Sequence, residues 1–328
     1  MEEGKGTLSE PPLVSYIVVC YKQEQFIRDA IRSAFEQTYE PLEIIFSDDC
    51  SPDRTFEIIK EEVDSYRGPH RIILCRNEKN LGIAGNVNHA FQSAHGQFFV
   101  MAAGDDISIP DRTALLVDRW QNADPPVDLV CSYHAEIDVD GRPTGFIRNN
   151  NVSVVPDTRR NVHSWRCTAI GGGAAYSRRL YDKYGPLNAA VICEDWVYAF
   201  RAWLESGIAV IEKPLYYHRT HEGSIAFISR RMKTETDVAV KRLHRIRSAQ
   251  NMLAVSEEWL KAWRRHGGKE QPQIEAKLLN RVKVCQLQLR ARQSSGRQAL
   301  WFALAVLRHG GGISTAVKLI VRQVFRWQ

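Results

Sequence analysis

Cysteine pairs in the CxxC spacing are absent from the sequence, and its seven cysteines are scattered along 328 residues. Structural zinc sites use such pairs, and small disulfide-bonded domains use closely spaced cysteines. The scattered pattern argues against both classes and fits a reducing compartment. We expect the cysteines to be small buried hydrophobic residues rather than nucleophiles.

Long apolar runs are also missing. The longest uncharged apolar run covers residues 299–307, whereas a helix that spans a bilayer needs roughly 20 such residues. Residues 1–12 are acidic and polar and lack the apolar segment of a signal peptide. We therefore expect a cytoplasmic protein. It would be either fully soluble or bound peripherally to the inner face of the cytoplasmic membrane.

Glycine is absent from VVCYKQEQ, the segment at the end of the first predicted strand. Dinucleotide-dependent oxidoreductases carry G-x-G-x-x-G there, because the backbone must approach the pyrophosphate closely. Nucleotidyltransferases with a similar sheet usually carry a loop rich in glycine and Lys or Arg, which is missing too. The missing loops disfavour both of these rival classes, and the nucleotidyltransferase remains the closer alternative.

Charge is distributed unevenly over a chain of ordinary globular composition, with 44% hydrophobic and 25% charged residues. Residues 229–328 contain 21 Lys and Arg against 6 Asp and Glu, a net +15, and the first 228 residues contain 23 against 32, a net −9. This split predicts an anionic partner for the basic part, and the alternative is a solvated basic surface. Nucleic acid is disfavoured as that partner, because aromatic interleaving and helix-turn-helix or zinc spacing are missing.

Short apolar runs alternate with helical patterns in the first 110 residues. The runs LVSYIVVC, LEIIFS, RIILC and QFFVM predict four buried strands, with helical patterns between them. Such alternation predicts βαβ units and a parallel sheet with right-handed crossovers. Ligands bind these sheets beyond the carboxyl ends of the strands.

The pattern changes after residues 128–132. AEIDVDGRPTG predicts a hairpin, residues 194–205 an amphipathic helix and residues 208–211 a short strand. Residues 148–170 are polar and irregular, and the three glycines at 171–173 allow a bend or a close approach of the backbone. Helical segments are predicted further on, at 231–252, 256–265, 272–293 and 313–327.

Two aspartate pairs follow the second and fourth predicted strands. Asp48 and Asp49 could accept protons from a nucleotide base or ribose, or could cap a helix. Asp105 and Asp106 repel each other unless a cation lies between them and donor phosphates, a role suited to a hard divalent ion. The alternative for this second pair is a polar turn before Pro110.

Two further groups lie in the second half of the chain. Glu194 and Asp195 lie at the start of a predicted helix. Asp195 could take a proton from an acceptor hydroxyl, and the alternative is that it caps the helix, where the helix dipole stabilises a carboxylate. His218, Arg219 and His221 in YYHRTHEGS form a compact group suited to contact with a diphosphate or a metal.

Taken together, residues 14–224 resemble the family 2 glycosyltransferases of GT-A fold, in particular those of bacterial surface-polysaccharide assembly. Five blocks in the family's order carry the likeness over about two thirds of the chain: VSYIVVCYKQEQFIRDAIRSAFEQTYEPLEIIFSDDCSPDRT, NEKNLGIAGNVNHAF, GQFFVMAAGDDISIPDR, CEDWVYAFRAWLESG and PLYYHRTHEGSIA. The resemblance implies an α/β fold of GT-A type, a Rossmann-like, mainly parallel sheet flanked by helices, with a helical C-terminal extension. It implies a catalytic domain over residues 1–228, with a nucleotide-sugar half at 12–110 and an acceptor half at 111–228, followed by a basic helical region at 229–328.

The resemblance also implies roles for the acidic clusters. The sugar would move from a nucleotide-diphosphate sugar to a glycan or lipid-linked acceptor, with inversion and with Mn²⁺ or Mg²⁺ as cofactor. It assigns Tyr21, Asp48, Asp49 and Asp105 to the nucleotide donor, Asp106 and His221 to the metal, and Asp195 to the catalytic base.

The sequence departs from the family pattern in two places. Ala103 replaces the first acid of the D-x-D-D motif common among relatives, so metal binding would depend on Asp106, phosphate oxygens and water. Cys20 stands where Thr or Ser is commoner, and Lys22 stands where Asn is commoner. These differences affect which nucleotide base the site would select.

The last segment, ISTAVKLIVRQVFRWQ, has the pattern of a helix that lies in the headgroup plane of a membrane. Lys318, Arg322 and Arg326 recur every four residues, which places them on one face, with aliphatic residues largely on the other. We predict that this basic region meets an anionic membrane surface. The alternative is that its apolar residues pack on the catalytic part or on a second copy of the chain.

Overall fold

A computed structural model of the chain describes residues 10–148, 171–268 and 271–309. Within these residues nine strands form one sheet. The strands are β1 (Val14–Cys20), β2 (Leu42–Asp48), β3 (Arg71–Arg76), β4 (Phe98–Ala103), β5 (Ile107–Ser108), β6 (Leu129–Ile137), β7 (Pro143–Arg148), β8 (Ala174–Ser177) and β9 (Ile208–Arg219).

The strand order is β3-β2-β1-β4-β8-β6-β9-β5, with β7 paired to β6. The first half is parallel, because β1 runs parallel to both β2 and β4 and β2 runs parallel to β3. In the second half β8 is antiparallel to both β4 and β6, whereas β6 and β9 are parallel. The residues that follow β2, β1 and β4 therefore meet at one edge of the sheet, as the sequence predicts.

Helices cover both faces of the sheet. They are α1 (Ile27–Phe35), α2 (Thr55–Ser65), α3 (Gly82–Ser93), α4 (Arg112–Gln121), α5 (Arg178–Tyr184), α6 (Glu194–Glu205), α7 (Ile225–Thr234), α8 (Val238–His266), α9 (Pro272–Gln293) and α10 (Gly296–Arg308). Helices α1, α2 and α4 contribute to one apolar cluster, and α3, α5, α6, α8 and α9 contribute to another.

Strand β1 shows why its sequence is almost continuously apolar. Tyr16 and Val18 belong to the cluster with α1 and α2, whereas Ile17, which points the opposite way, belongs to the cluster with α3 and α6. Side chains of a strand alternate between the two faces of its sheet. A strand covered by helices on both faces must therefore be apolar at nearly every position. The predicted α/β class with a mainly parallel sheet flanked by helices is confirmed.

Strand β9 is longer than predicted, because it runs from Ile208 to Arg219 instead of ending at residue 211. Its register against β6 shifts between Ser132 and Tyr133, opposite the step from Ile211 to Pro214. An irregularity of this kind lets a strand pass a proline, which cannot donate to the ladder. His218 and Arg219 consequently lie on a strand and not on a loop.

The helices after residue 225 also differ from the predicted boundaries. The chain breaks before α8, where the Asp237 carboxylate accepts the N–H groups of Ala239 and Val240 as an N-cap. It does not break near residue 254, because Ala254 and Val255 are buried in the cluster with α6. Helix α10 covers the whole apolar run at 299–307, for which no helix was predicted. The predicted helix at 313–327, and the irregular segment 148–170 apart from its first residue, lie outside the described residues.

Helices α8 and α9 share a core with the sheet. Trp259 of α8 stacks on Phe200 of α6 with ring centroids 5.0 Å apart, and Leu278 of α9 is fully buried in the same cluster. The domain boundary near residue 228 stays a prediction. No helix in the described part of the chain is both long and apolar enough to cross a bilayer.

The six cysteines in the described ranges are free thiols, and four of them are buried. This confirms the prediction that most cysteines fill space in the core.

Candidate functional site

Asp105 and Asp106 follow β4 at the sheet edge where β1 and β2 also end. The side chain of Asp106 is buried, and its Oδ1 atom accepts the backbone N–H of Arg219 at 3.0 Å. Burial raises the pKa of Asp106 to about 7, nearby His218 lowers it, and the neighbouring Asp105 raises it further. The fold thus holds an acidic group at a place where its ionised form is poorly solvated.

Arg219 is the main structural support of this aspartate pair. Its Nε donates to the backbone oxygen of Asp105 at 3.0 Å, Nη1 to that of Val139 at 3.1 Å, and Nη2 to Asp29 Oδ2 at 2.9 Å. The guanidinium also lies 5.0 Å from the Phe26 ring centroid. Three of its donors are directed at protein groups, so Arg219 holds the aspartate pair in place, and its contact with a diphosphate stays a prediction.

His221 lies against the first member of the pair. Its Nε2 is 2.9 Å from Asp105 Oδ2, and its Nδ1 accepts the Gly223 N–H at 3.3 Å. The ring packs on Phe26 with centroids 4.5 Å apart. The structure therefore brings His221 to the Asp105–Asp106 pair, and its role as a metal ligand stays a prediction.

The triple glycine closes the other side of the pair. A Cβ atom on Gly172 would lie 3.0 Å from Asp106 Oδ2, and one on Gly173 would lie 2.7 Å from the Tyr216 ring. Only glycine leaves room for this approach of backbone to carboxylate. The predicted close approach of this backbone is therefore made to Asp106 and Tyr216, which are groups of the protein itself.

Arg112 is a functional neighbour that sequence reasoning missed. This fully buried guanidinium donates to the backbone oxygens of Met101 at 2.6 Å and Gly172 at 2.7 Å, and to Ser108 Oγ at 2.8 Å. Its positive charge also lowers the pKa of Asp106. Nothing in the local sequence marks it, since an arginine in the first turn of a solvated helix has the same pattern.

Tyr216 is influenced by both Asp106, the candidate metal ligand, and Asp195, the candidate catalytic base. Burial raises the pKa of the Tyr216 hydroxyl well above its usual value, and the charge of Asp106 raises it further, as does that of Asp195. Both carboxylates therefore lie within electrostatic range of this one side chain. Two acids that are about 90 residues apart in the chain thus act on the same side chain.

Glu194 and Asp195 begin helix α6, as predicted. Asp195 Oδ1 accepts the Trp196 N–H at 2.9 Å, so the carboxylate lies at the positive end of the helix dipole. Burial raises the pKa of Glu194 to about 7, although hydrogen bonds from its own N–H and that of Asp195 lower it. The predicted place of both acids in the first turn of a helix is confirmed, and the role of Asp195 as a base stays a prediction.

Asp49 is an acceptor at the N-terminus of α3. Its Oδ1 accepts the Leu81 N–H at 2.7 Å and Asn77 Nδ2 at 2.8 Å, and its Oδ2 accepts the Gly82 N–H at 2.9 Å. Asp48 is fully buried, and its Oδ2 accepts the Ser51 N–H at 3.0 Å. The helix-capping alternative is therefore realised for Asp49, and contact of either residue with a base stays a prediction.

Tyr21 follows β1, between the ends of β2 and β4, and is 39% exposed. The Lys22 ammonium lies 5.3 Å from its ring centroid. An exposed aromatic ring at this sheet edge offers a flat apolar surface for a nucleotide base. The contact of Tyr21 with the base of the donor stays a prediction.

The residues present fit a divalent cation in part. Asp106 supplies a buried carboxylate that a cation would stabilise in its ionised form, and the buried His218 Nδ1 has no hydrogen-bond partner within the described ranges. Within those ranges no three His, Cys, Asp or Glu side chains are grouped closely enough to hold a metal by themselves. A cation here would need further oxygen ligands, such as phosphate oxygens and water.

The sheet, its two helical layers and the carboxylates beyond the ends of β2 and β4 define a transferase of GT-A type. The model of the family described as glycosyl transferase family 2 matches residues 15–185, just over half of the chain. The chain belongs to this family.

Two curated relatives show how far the likeness extends. The chain is 26% identical to EpsH of Bacillus subtilis over 66% of its own length and spans only 63% of that relative. It is 26% identical to the UDP-Glc:alpha-D-GlcNAc-diphosphoundecaprenol beta-1,3-glucosyltransferase WfaP of Escherichia coli, over 71% of this chain and 90% of WfaP.

The fold is also shared with a solved structure. The mannosyltransferase PcManGT of Pyrobaculum calidifontis, in complex with GDP-Man and Mn²⁺, superposes with a TM-score of 0.53 at 18% identity. The match covers 98% of this chain and 89% of PcManGT. At this identity the likeness concerns the fold.

The raised pKa of Asp106 gives a testable prediction. Because its pKa rises from 3.8 to about 7 on folding, the folded state holds an extra proton between these values and loses stability as the pH rises through this range. Each pKa unit corresponds to about 1.4 kcal/mol. We therefore expect Asp106→Asn, in EDTA, to raise the melting temperature at pH 8 by more than at pH 5, as followed by thermal unfolding.

The matched control is Asp111→Asn, at an exposed aspartate of the same region, which should show no comparable difference between the two pH values. If Asp106→Asn destabilises the protein equally at both pH values, the carboxylate is not under electrostatic strain.

Proposed function

We propose that the protein is an inverting glycosyltransferase that transfers a sugar from a nucleotide-diphosphate sugar to an acceptor hydroxyl. The observation that carries the proposal is the position of Asp106 and Asp195, both within electrostatic range of Tyr216. Asp106 would act on the donor diphosphate through a cation, and Asp195 would act on the acceptor hydroxyl. The names of WfaP and PcManGT, which include nucleotide sugars, support such a donor.

The donor would bind across the ends of β2, β1 and β4. We propose that the exposed ring of Tyr21 packs on the base, with Asp49 and Asp48 beside it. Asp105 would contact the ribose, and its position would be fixed by His221 at 2.9 Å. Binding beyond the carboxyl ends of parallel strands is the general rule for such sheets.

A divalent cation, Mn²⁺ or Mg²⁺, would be held by Asp106, with His218 or His221 nearby. When bound, such an ion neutralises charge on the departing diphosphate. The Mn²⁺ complex of PcManGT supports this cofactor. Arg219 and Arg112 would serve it indirectly, because they fix the backbone around Asp106.

The reaction would need a single displacement. Asp195 accepts the proton of the acceptor hydroxyl, and the hydroxyl oxygen forms a bond to the anomeric carbon. The bond from that carbon to the diphosphate oxygen breaks, and the nucleoside diphosphate leaves with the electron pair. Because the attack comes from the face opposite the leaving group, the configuration at the anomeric carbon inverts.

The acceptor would be a glycan or a lipid-linked saccharide in polysaccharide assembly. The name of WfaP includes a diphosphoundecaprenol-linked sugar, which supports an acceptor of this class. Residues 12–110 would form the nucleotide-sugar half and residues 111–228 the acceptor half. The basic helices after residue 228 would then face the surface where such a lipid lies.

The exposed side of α10 supports contact with an anionic membrane. Arg297, Trp301, Leu304 and Arg308 are exposed and recur at helical spacing on one side, whereas Ala303 and Val306 are buried. An apolar centre flanked by cations is the pattern of a helix lying in the headgroup region. We propose that this side of α10 binds the inner face of the cytoplasmic membrane.

The base assignment is tested by Asp195→Asn, which keeps the shape of the side chain but removes its basicity. We expect transfer to fall by about 10²-fold or more, while donor binding stays nearly unchanged. A panel of UDP- and GDP-sugars in a thermal-shift assay first identifies the donor, since a ligand bound to the folded state raises the melting temperature. Product analysis by NMR then gives the anomeric configuration.

The mutant should show the same donor-induced shift as the wild type. Turnover at the wild-type rate would rule out Asp195 as the base, and retained anomeric configuration would rule out single displacement.

The cation assignment is tested by chelation and by Asp106→Ala. Both should abolish the donor-induced thermal shift in Mn²⁺, because the diphosphate would lose its counter-ion. The exposed Asp111→Ala serves as the matched control and should bind donor like the wild type. Full activity in EDTA would show that the reaction needs no cation.

Membrane binding is tested by flotation with anionic and neutral vesicles at two salt concentrations. We expect binding to anionic vesicles only, weakened by salt because the Debye length shortens, and reduced by Trp301→Ala. The matched control is Phe146→Ala, at a similarly exposed aromatic residue on β7 in the acidic part. Equal flotation of Trp301→Ala and wild type would exclude α10 as the contact.

A further inference from the structure

The segment that leads into helix α6 is held at both of its ends by asparagine side chains. At its start, Asn88 of α3 exchanges two hydrogen bonds with Leu187: Asn88 Nδ2 donates to the Leu187 carbonyl, and Asn88 Oδ1 accepts the Leu187 N–H, both at 2.8 Å. Between these ends the backbone passes close to the N-terminus of α3, since the Ala189 carbonyl lies 4.0 Å from a Cβ placed on Gly82. This contact brings the segment beside the helix end that Asp49 caps.

At the end of the segment, Asn251 of α8 takes the corresponding position. Its Oδ1 accepts the N–H groups of Ile192 at 2.7 Å and Cys193 at 3.2 Å, and its Nδ2 donates to Cys193 Sγ at 3.3 Å. The side chain is buried, with 7% exposed. These contacts precede Asp195 by only two residues, so they fix the backbone from which its carboxylate extends.

Two more polar contacts join the same helices. Trp259 Nε1 donates to the Trp196 carbonyl at 3.1 Å, and Arg201 Nη2 donates to Glu258 Oε2 at 2.9 Å. The three contacting residues of α8, at 251, 258 and 259, are spaced by two helical turns and therefore lie on one side of the helix. That side faces α6, which makes α8 a rigid support for the start of α6.

We propose that Asn251 is a positioning residue for the catalytic base, through which the helical C-terminal region holds Asp195 in place. This inference rests on the proposed function, in which Asp195 takes the acceptor proton. Asn251 does not touch the reacting atoms. It sets the position of Cys193, and thus the direction in which α6 begins.

The geometry explains why such a residue is needed. The first N–H groups of a helix and the residues before it have no partner within the helix. Without the Asn251 side chain, the N–H groups of Ile192 and Cys193 would lose their protein acceptor, and the segment would be free to turn them toward water. A displacement of about 1 Å at a reacting group can reduce the rate by about 10²-fold.

The test compares three variants in the full-length protein, with the donor identified by the nucleotide-sugar panel. Asn251→Leu keeps the size of the side chain but removes both polar atoms, and we expect kcat to fall by about 10- to 100-fold. The donor KM and the donor-induced thermal shift should stay at wild-type values. A role in folding alone would instead reduce the amount of active enzyme and the melting temperature without changing kcat per folded molecule.

Asn251→Asp keeps an oxygen for both N–H groups and should restore most of the wild-type kcat. Its added negative charge should also move the acidic limb of the kcat profile to higher pH, because a nearby like charge disfavours an ionised base. Gln250→Ala, at the exposed neighbouring position, is the matched control and should match the wild type in all measurements. If Asn251→Leu does not fold, Asn251→Ser replaces it, since its hydroxyl is too short to reach both N–H groups.

The outcomes separate this inference from the proposed function. A wild type without transfer activity contradicts the proposed function, and an Asp195→Asn variant that turns over at the wild-type rate contradicts the assignment of Asp195 as the base. An active wild type and an inactive Asp195→Asn, together with wild-type kcat in Asn251→Leu, overturn only the positioning role.

Discussion

Burial of the Asp106 carboxyl beside Asp105 is the constraint on which the rest of the site depends. Burying an acid beside a second acid is unfavourable, and the fold offsets this cost only in part through nearby His218, the Arg219 N–H and the charge of Arg112. An arrangement that strains one ionised group is typical of functional sites, because a ligand can relieve the strain. In a glycosyltransferase a cation and a diphosphate have the charges to do so.

The two buried arginines show how the fold sustains this strain. Arg219 connects the aspartate pair with Asp29 and Val139 across the sheet edge, and Arg112 connects β4 with Gly172. Arginine suits this task because its planar donors reach several backbone oxygens at fixed angles. Both side chains are directed at the protein, so they act on the site by holding its backbone in place.

Helix α8 has a similar role on the acceptor side. It shares a core with α6 through Trp259 and is bonded to the segment before α6 through Asn251. The basic C-terminal region is therefore a structural part of the catalytic unit as well as a candidate membrane contact.

The sequence alone determined the α/β class, the first four strands and the location of the acids at strand ends. These features depend on local patterns, since apolar runs and helical spacing reflect burial on one or both faces of an element. The order of five sequence blocks was enough to identify the family. The bounds of α9, with proline in its first turn, were also predictable from the sequence.

Only the tertiary structure decided what the individual polar side chains contact. Arg219 pairs with Asp29 across 190 positions and His221 with Asp105 across 116, and no local pattern predicts partners so distant in the chain. For the same reason the sequence missed Arg112 and Asn251, and ended β9 before the strand passes Pro214. Hydrogen-bond partners of buried groups are set by which elements the fold places side by side, and this is decided by packing of the whole sheet and its helices.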